Sequence, residues 1–132
     1  MIIGIGVDRV VIKRIERSLE RYGKRFEQRI YTAAEIEQAR AKGNPARRFA
    51  MLFAAKEAVS KALGTGFHQG VAPHHIETIH QSSGKPEVTL YKGAKRAAED
   101  MAVCHVHVSL SDDDGIAMAF AIAESIDKAY CE

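Results

Sequence analysis

The apolar and polar positions divide the chain into strands near both ends and helices between them. Residues 2–7 are short, apolar and β-branched, and they predict a strand that Asp8 ends. In residues 12–22, Ile12, Ile15 and Leu19 recur at i, i+3 and i+7, which predicts an amphipathic helix. Phe26 and Ile30 continue its apolar packing. The segment TAAEIEQARAKG predicts a short helix from Thr32 to near Gly43, with Glu35 at the capping-box position. Pro45 suits the first position of the next helix, which runs over about 45–63 and is the longest in the chain. FHQGVAPHH, after Gly66, reads as a loop.

Residues 75–80 and 86–91 predict a hairpin joined by Ser82-Ser83-Gly84-Lys85, and residues 92–102 a short helix. Residues 104–111 alternate: Val106, Val108 and Leu110 face one way, His105, His107, Ser109 and Ser111 the other. Asp112–Gly115 reads as a turn. Residues 116–123 then set Ile116, Met118, Phe120 and Ile122 against Ala117, Ala119, Ala121 and Ala123, and an all-alanine face suits close packing on a helix. The last residues read as a mobile tail. The expectation is a single α+β domain over 1–132, with an antiparallel meander sheet packed on a long central helix.

Composition narrows the setting. A chain of 132 residues with 46% hydrophobic content supports one core. No apolar run is long enough to span a membrane, and MIIGIGVD lacks the pattern of a signal peptide. Cys104 and Cys131 make no disulfide framework and no CxxC pattern, so a cytoplasmic setting is the default. Residues 1–30 carry eight Lys/Arg against four acids. A cation excess on one helix suits an anionic partner. No zinc-finger or RNA-binding signature accompanies it, which argues against nucleic acid. Four histidines, His68, His74, His75 and His80, match no usual zinc spacing.

The chemistry concentrates in FAAKEAVSKALGTG, Phe53 to Gly66. Phe53, Glu57 and Lys61 share one helix face, with Lys56 and Ser60 beside it, and the rest is small or apolar. One reading is an ordinary i,i+4 Glu57–Lys61 pair, contributing about 0.3–0.5 kcal/mol, followed by a capping Gly64. The other is a carboxylate holding a divalent cation, with lysines holding phosphate. Asp8 has two readings too, a cap for the next helix or a metal ligand. The glycines follow the helix, so this is no phosphate loop of the nucleotide-hydrolase kind.

F-A-x-K-E-A-x-x-K-A-L-G-T-G resembles the signature of holo-acyl-carrier-protein synthases, the small bacterial 4′-phosphopantetheinyl transferases. Gly4-Ile5-Gly6-Val7-Asp8, Gly84-Lys85-Pro86 and His107-Val108-Ser109-Leu110-Ser111 stand in the matching order, so the resemblance covers essentially the whole chain. It implies Mg2+-dependent transfer of 4′-phosphopantetheine from coenzyme A to a serine of apo-acyl carrier protein, for fatty acid biosynthesis. Asp8 and Glu57 match metal ligands. Glu57 is the first candidate for general base, with a metal-bound water close behind, and Lys61 would stabilise the leaving group. Lys56, Lys61, Gly64, Thr65, Gly66, Lys85, Pro86, His107, Ser109 and Ser111 would meet coenzyme A. Arg14, Arg21 and Arg25 would bind the carrier protein's acidic helix. The family assembles as homotrimers with sites between subunits.

Two positions depart from the family pattern. Leu52 stands where members carry Arg before the central Phe, and Arg48, one turn earlier, is the nearest substitute cation. Asp112 stands where many members have His, and no role is assigned to it. The competing class is a docking module that binds an acidic partner and catalyses nothing.

Overall fold

The computed structural model describes residues 1–125. In chain order the elements are β1 (Ile2–Val11), α1 (Ile12–Tyr22), α2 (Lys24–Ile30), α3 (Ala33–Arg40) and α4 (Pro45–Ala62). A 3-10 turn (Pro73–His75), β2 (Ile76–His80), β3 (Pro86–Leu90), α5 (Lys92–Asp100), β4 (His105–Asp113) and β5 (Ile116–Glu124) follow. The mixed α+β class agrees with the sequence reading. The expected mobile tail beyond Ser125, with Cys131 in it, lies outside the described residues.

The strands do not form one meander. β1, β5 and β4 make an antiparallel sheet in that order, and β2 and β3 pair separately. The hairpin stays apart because side chains, not a strand, satisfy the free edge of β2. Glu35 Oε2 accepts the Thr78 N–H at 3.0 Å, and Lys56 Nζ donates to the Ile76 carbonyl at 2.5 Å. Gln38 bridges His80, donating to its carbonyl at 2.8 Å and accepting its N–H at 2.9 Å. An edge covered in this way cannot recruit another strand.

β1 is longer than expected. Asp8 does not end it, because β5 supplies partners as far as Val11, and Asp8 lies opposite Ala119 within the ladder. Asp8 does not cap α1 either, whose N-cap is Val11 with no side-chain cap bond. β4 likewise runs through Asp113, and only Asp114-Gly115, both at positive φ, form the two-residue turn into β5. Thr32 and Glu35 make the expected capping box, and Pro45 opens α4 behind the Asn44 cap.

The inner face of the sheet is built from small residues, and α4 lies on it. Ala117, Ala119, Ala121 and Ala123 of β5 are fully or almost fully buried. On β1, a Cβ at Gly4 would sit 1.8 Å from the Ala62 carbonyl oxygen, and one at Gly6 1.8 Å from that of Ala58. Strand and helix thus meet backbone to backbone, which only glycine permits. The opposite sheet face is bare and apolar: Ile5 is 64% exposed and Phe120 58%, beside Ile3, Val7 and Ile122.

Gly6→Ala tests this packing. The added methyl meets helix backbone, which cannot turn aside as a side chain could, so a loss of about 3 kcal/mol is expected in denaturant unfolding. An unchanged midpoint would show that α4 is not seated as closely as described.

Candidate active site

The α4–β1 crossing brings three sequence-predicted residues together. Asp8 projects from the inner face of β1, and Glu57 and Lys61 lie one turn apart on α4. Lys61 Nζ donates to Asp8 Oδ1 at 3.1 Å and to the Val7 carbonyl at 3.3 Å. Burial, then the nearby Asp8 charge, push the Glu57 carboxyl above its ordinary range, while Lys61 and Arg14 pull it back. Two carboxylates therefore repel across this crossing, with cations around them. Lys61 stays half exposed, free to reach a ligand.

The donor set fits a hard divalent cation. No group of three or more His, Cys, Asp or Glu among the described residues could hold a metal. Two carboxylates without a third protein ligand suit Mg2+, which keeps waters and shares phosphate oxygens with a substrate. A cation there would also offset the burial and the Asp8 repulsion that together raise Glu57.

Lys56 corrects the sequence reading. Expected at coenzyme A, it is instead fully buried. Its ammonium donates to Glu35 Oε1 at 2.6 Å, to the Pro73 carbonyl at 3.1 Å and to that of Ile76 at 2.5 Å. An ammonium has three donors, and all are used inside the protein. Burial lowers its pKa, and Glu35 works against that shift. Lys56 is thus a structural tie between α4, α3 and the start of β2.

After α4, Gly64 turns the chain at φ 75°, and the N–H groups of Thr65 and Gly66 both bond the Ser60 carbonyl, at 3.2 and 3.1 Å. This closes the helix with the Val59, Ser60 and Lys61 carbonyls satisfied. Lys85 and Pro86 stand at the tip of the β2–β3 hairpin, where Pro86 faces His80. The tip borders a cleft of about 710 Å3, whose wall includes Gln38, Lys42, Arg47, Arg48, Leu52 and His80.

Leu52 is only 5% exposed. Arg48, the expected substitute cation, lies on the same cleft wall, where its Nη1 donates to the Gln38 carbonyl at 3.3 Å. Asp112 accepts a bidentate pair from Arg47, at 2.9 and 2.7 Å, which ties the start of α4 to β4 and holds the Asp112 carboxyl below its usual range. Sequence reasoning missed this pair because no local spacing links residues 65 apart. It missed Gln38 for the same reason.

Not every predicted residue joins the Asp8 cluster. His107, Ser109 and Ser111 lie on the bare sheet face, turned away from α4, and His107 Nε2 lies 3.0 Å from Glu124 Oε1. Arg14, Arg21 and Arg25 are exposed on α1 and α2.

Residues 4–121 match the model of the 4′-phosphopantetheinyl transferase superfamily. The chain belongs to that superfamily. A holo-[acyl-carrier-protein] synthase of Sinorhizobium fredii is 45% identical over 136 aligned positions, covering 100% of this chain and 98% of the relative. The crystal structure of holo-[acyl-carrier-protein] synthase from Neisseria meningitidis superposes with a TM-score of 0.87 at 38% identity, over 95% of this chain and all of that one. The Helicobacter pylori synthase in complex with coenzyme A gives 0.80 at 30% identity, over 91% and 99%. The four stretches that carry the sequence resemblance fall on β1, α4 with its glycine loop, the hairpin tip and β4.

The transferase cluster makes a pH prediction. Because its folded pKa is raised, Glu57 favours folding fully below its unfolded pKa, and that contribution is lost as pH rises through the folded pKa. Glu57→Gln is therefore expected to raise the melting temperature in metal-free buffer at pH 7.5, with the difference from wild type vanishing near pH 4. The same difference at both pH values would show that Glu57 ionises without penalty.

Proposed function

We propose that the protein transfers 4′-phosphopantetheine from coenzyme A to a serine of apo-acyl carrier protein, releasing adenosine 3′,5′-bisphosphate. The convergence of Asp8, Glu57 and Lys61 where β1 crosses α4 carries this reading, since a docking module has no need of the three together. Asp8 and Glu57 would hold Mg2+, which when bound neutralises diphosphate charge. The remaining roles fall to the chain's own groups. The serine oxygen bonds to phosphorus as the bridging P–O bond breaks. Glu57 accepts the serine proton, directly or through water. Lys61 leaves Asp8 to meet the charge growing on the departing nucleotide phosphate. Gly64, Thr65 and Gly66 would line the pantetheine arm, and Lys85 and Pro86 the nucleotide end. Arg14, Arg21 and Arg25 supply exposed cations for an acidic carrier helix. Cytoplasmic fatty acid biosynthesis is the proposed setting.

The working unit is a homotrimer in this reading. His107, Ser109 and Ser111 face away from Asp8 within one chain, so they can serve coenzyme A only beside another copy's α4. The bare apolar sheet face that carries them supports this, being the kind of surface that marks an interface.

Two experiments test the proposal. Mass spectrometry of apo-acyl carrier protein incubated with the protein, coenzyme A and Mg2+ is expected to show the gain of one phosphopantetheine. Asp8→Ala and Glu57→Ala should each lower the rate by at least about a hundredfold. No gain with wild type would overturn the function, and a gain surviving both substitutions would overturn the metal assignment. Native mass spectrometry is expected to show trimers for wild type and monomers for Ile5→Asp/Phe120→Asp. A monomeric wild type would refute the shared site.

A further inference from the structure

The cleft beside the hairpin tip is assembled through one side chain that no catalytic pattern would single out. Gln38 sits on the last turn and a half of α3. Its amide makes both bonds to the His80 backbone, donating from Nε2 to the carbonyl at 2.8 Å and accepting the N–H on Oε1 at 2.9 Å. His80 is the last residue of β2 and stands directly opposite Pro86. Fixing His80 therefore fixes Pro86 and, through the tight turn in which the Gln81 N–H bonds the Lys85 carbonyl at 2.9 Å, Lys85 as well. The hairpin belongs to no larger sheet, and on its β2 edge Lys56 and Glu35 hold Ile76 and Thr78, which leaves the His80 end to this bond pair.

The same residue holds the other wall. The Gln38 main-chain carbonyl accepts from Arg48 Nη1 at 3.3 Å, and Gln38, Arg48, His80 and Gly84 all line the 710 Å3 cleft. Arg47 across the cleft is already neutralised by Asp112. Arg48 and Lys42 thus remain as the cations that can meet an anion there. Arg48 keeps four donors beyond the one it gives Gln38. Arg48 also lowers the pKa of the half-buried His80, after burial, so the cleft is electropositive without a charged histidine.

We propose that Gln38 is a positioning residue for the nucleotide end of coenzyme A, setting the distance between the Lys85-Pro86 tip and Arg48. This rests on the transferase reading above. Gln38 touches no reacting group. Its loss would loosen the nucleotide clamp while leaving Asp8, Glu57 and Lys61 in place on β1 and α4. Pre-organised walls cost a ligand less ordering on binding than loose ones.

The test compares Gln38→Met, which removes both bonds at nearly constant side-chain length, with Glu37→Gln, an exposed neighbour on α3, as control. For Gln38→Met we expect KM for coenzyme A and Kd for adenosine 3′,5′-bisphosphate to rise about tenfold, since two neutral hydrogen bonds are lost. We expect kcat to stay within about twofold and Glu37→Gln to match wild type. A folded Gln38→Met with unchanged KM and Kd would overturn the proposal. So would a fall in kcat at unchanged KM, which would put Gln38 on the chemical step. If Gln38→Met fails to fold, hydrogen exchange on wild type decides. The account expects the His80 amide to be protected in the free protein and Gln81–Lys85 to slow when adenosine 3′,5′-bisphosphate binds, and fast exchange at His80 would overturn it. A wild type that neither transfers phosphopantetheine nor binds the nucleotide would refute the transferase reading itself, while His80 protection would still report whether Gln38 holds the tip.

Discussion

Gly4 and Gly6 let a strand and a helix touch backbone to backbone, and most of the molecule is arranged around that meeting. A methyl at either glycine would lie 1.8 Å from a helix carbonyl oxygen. The alanine face of β5 continues the same flat surface, so α4 can lie close along both strands. Close approach matters for chemistry because it decides what stands opposite what. With β1 pressed on the last two turns of α4, Asp8 comes level with Glu57 and Lys61, although Asp8 and Lys61 are 53 residues apart. A larger residue at Gly6 would hold the elements apart, and Lys61 would no longer meet Asp8.

A second constraint works behind α4. The Lys56–Glu35 pair is wholly buried, and its value cannot be read from proximity alone. Desolvating both charges offsets much of their attraction, so such a pair often adds little net stability. What it does add is register. Lys56 bonds two carbonyls as well as Glu35, and Glu35 bonds the Thr32 and Thr78 amides. One buried cation and one buried anion thus satisfy backbone groups from the end of the loop, the start of β2 and the first turn of α3. Removing either would strand the other, at a cost of about 3–5 kcal/mol. α4 therefore has two functional sides: Glu57 and Lys61 face the strand with Asp8, while Lys56, the residue next to Glu57, anchors the opposite side.

Much of this was legible in the sequence, and the failures have physical causes. The alternation in residues 104–111 and 116–123 reports faces directly, and both faces came out as expected. The Thr32–Glu35 box and Pro45 at the start of α4 are local signals, and both agree with the structure. Strand ends were less legible, because pairing sets them: Asp8 looks like a strand end until β5 is seen to continue past it. The split into two sheets was hidden because it depends on side chains of α3 and α4 reaching β2. Lys56 was misplaced for a related reason. A lysine beside the motif glutamate suggests phosphate, and only tertiary structure shows it turned inward to Glu35. The Asp8–Glu57–Lys61 grouping was read from motif resemblance, and the fold gives it a mechanical basis in the two glycines.

The central claim is that Asp8 and Glu57, brought together by this packing, form one divalent-cation site that coenzyme A completes. Electron paramagnetic resonance of free Mn2+ during titration into the protein, with and without coenzyme A, tests it most directly. The account predicts one Mn2+ per chain at saturation and clearly tighter binding when coenzyme A is present. Absence of stoichiometric binding, or an affinity indifferent to coenzyme A, would contradict it.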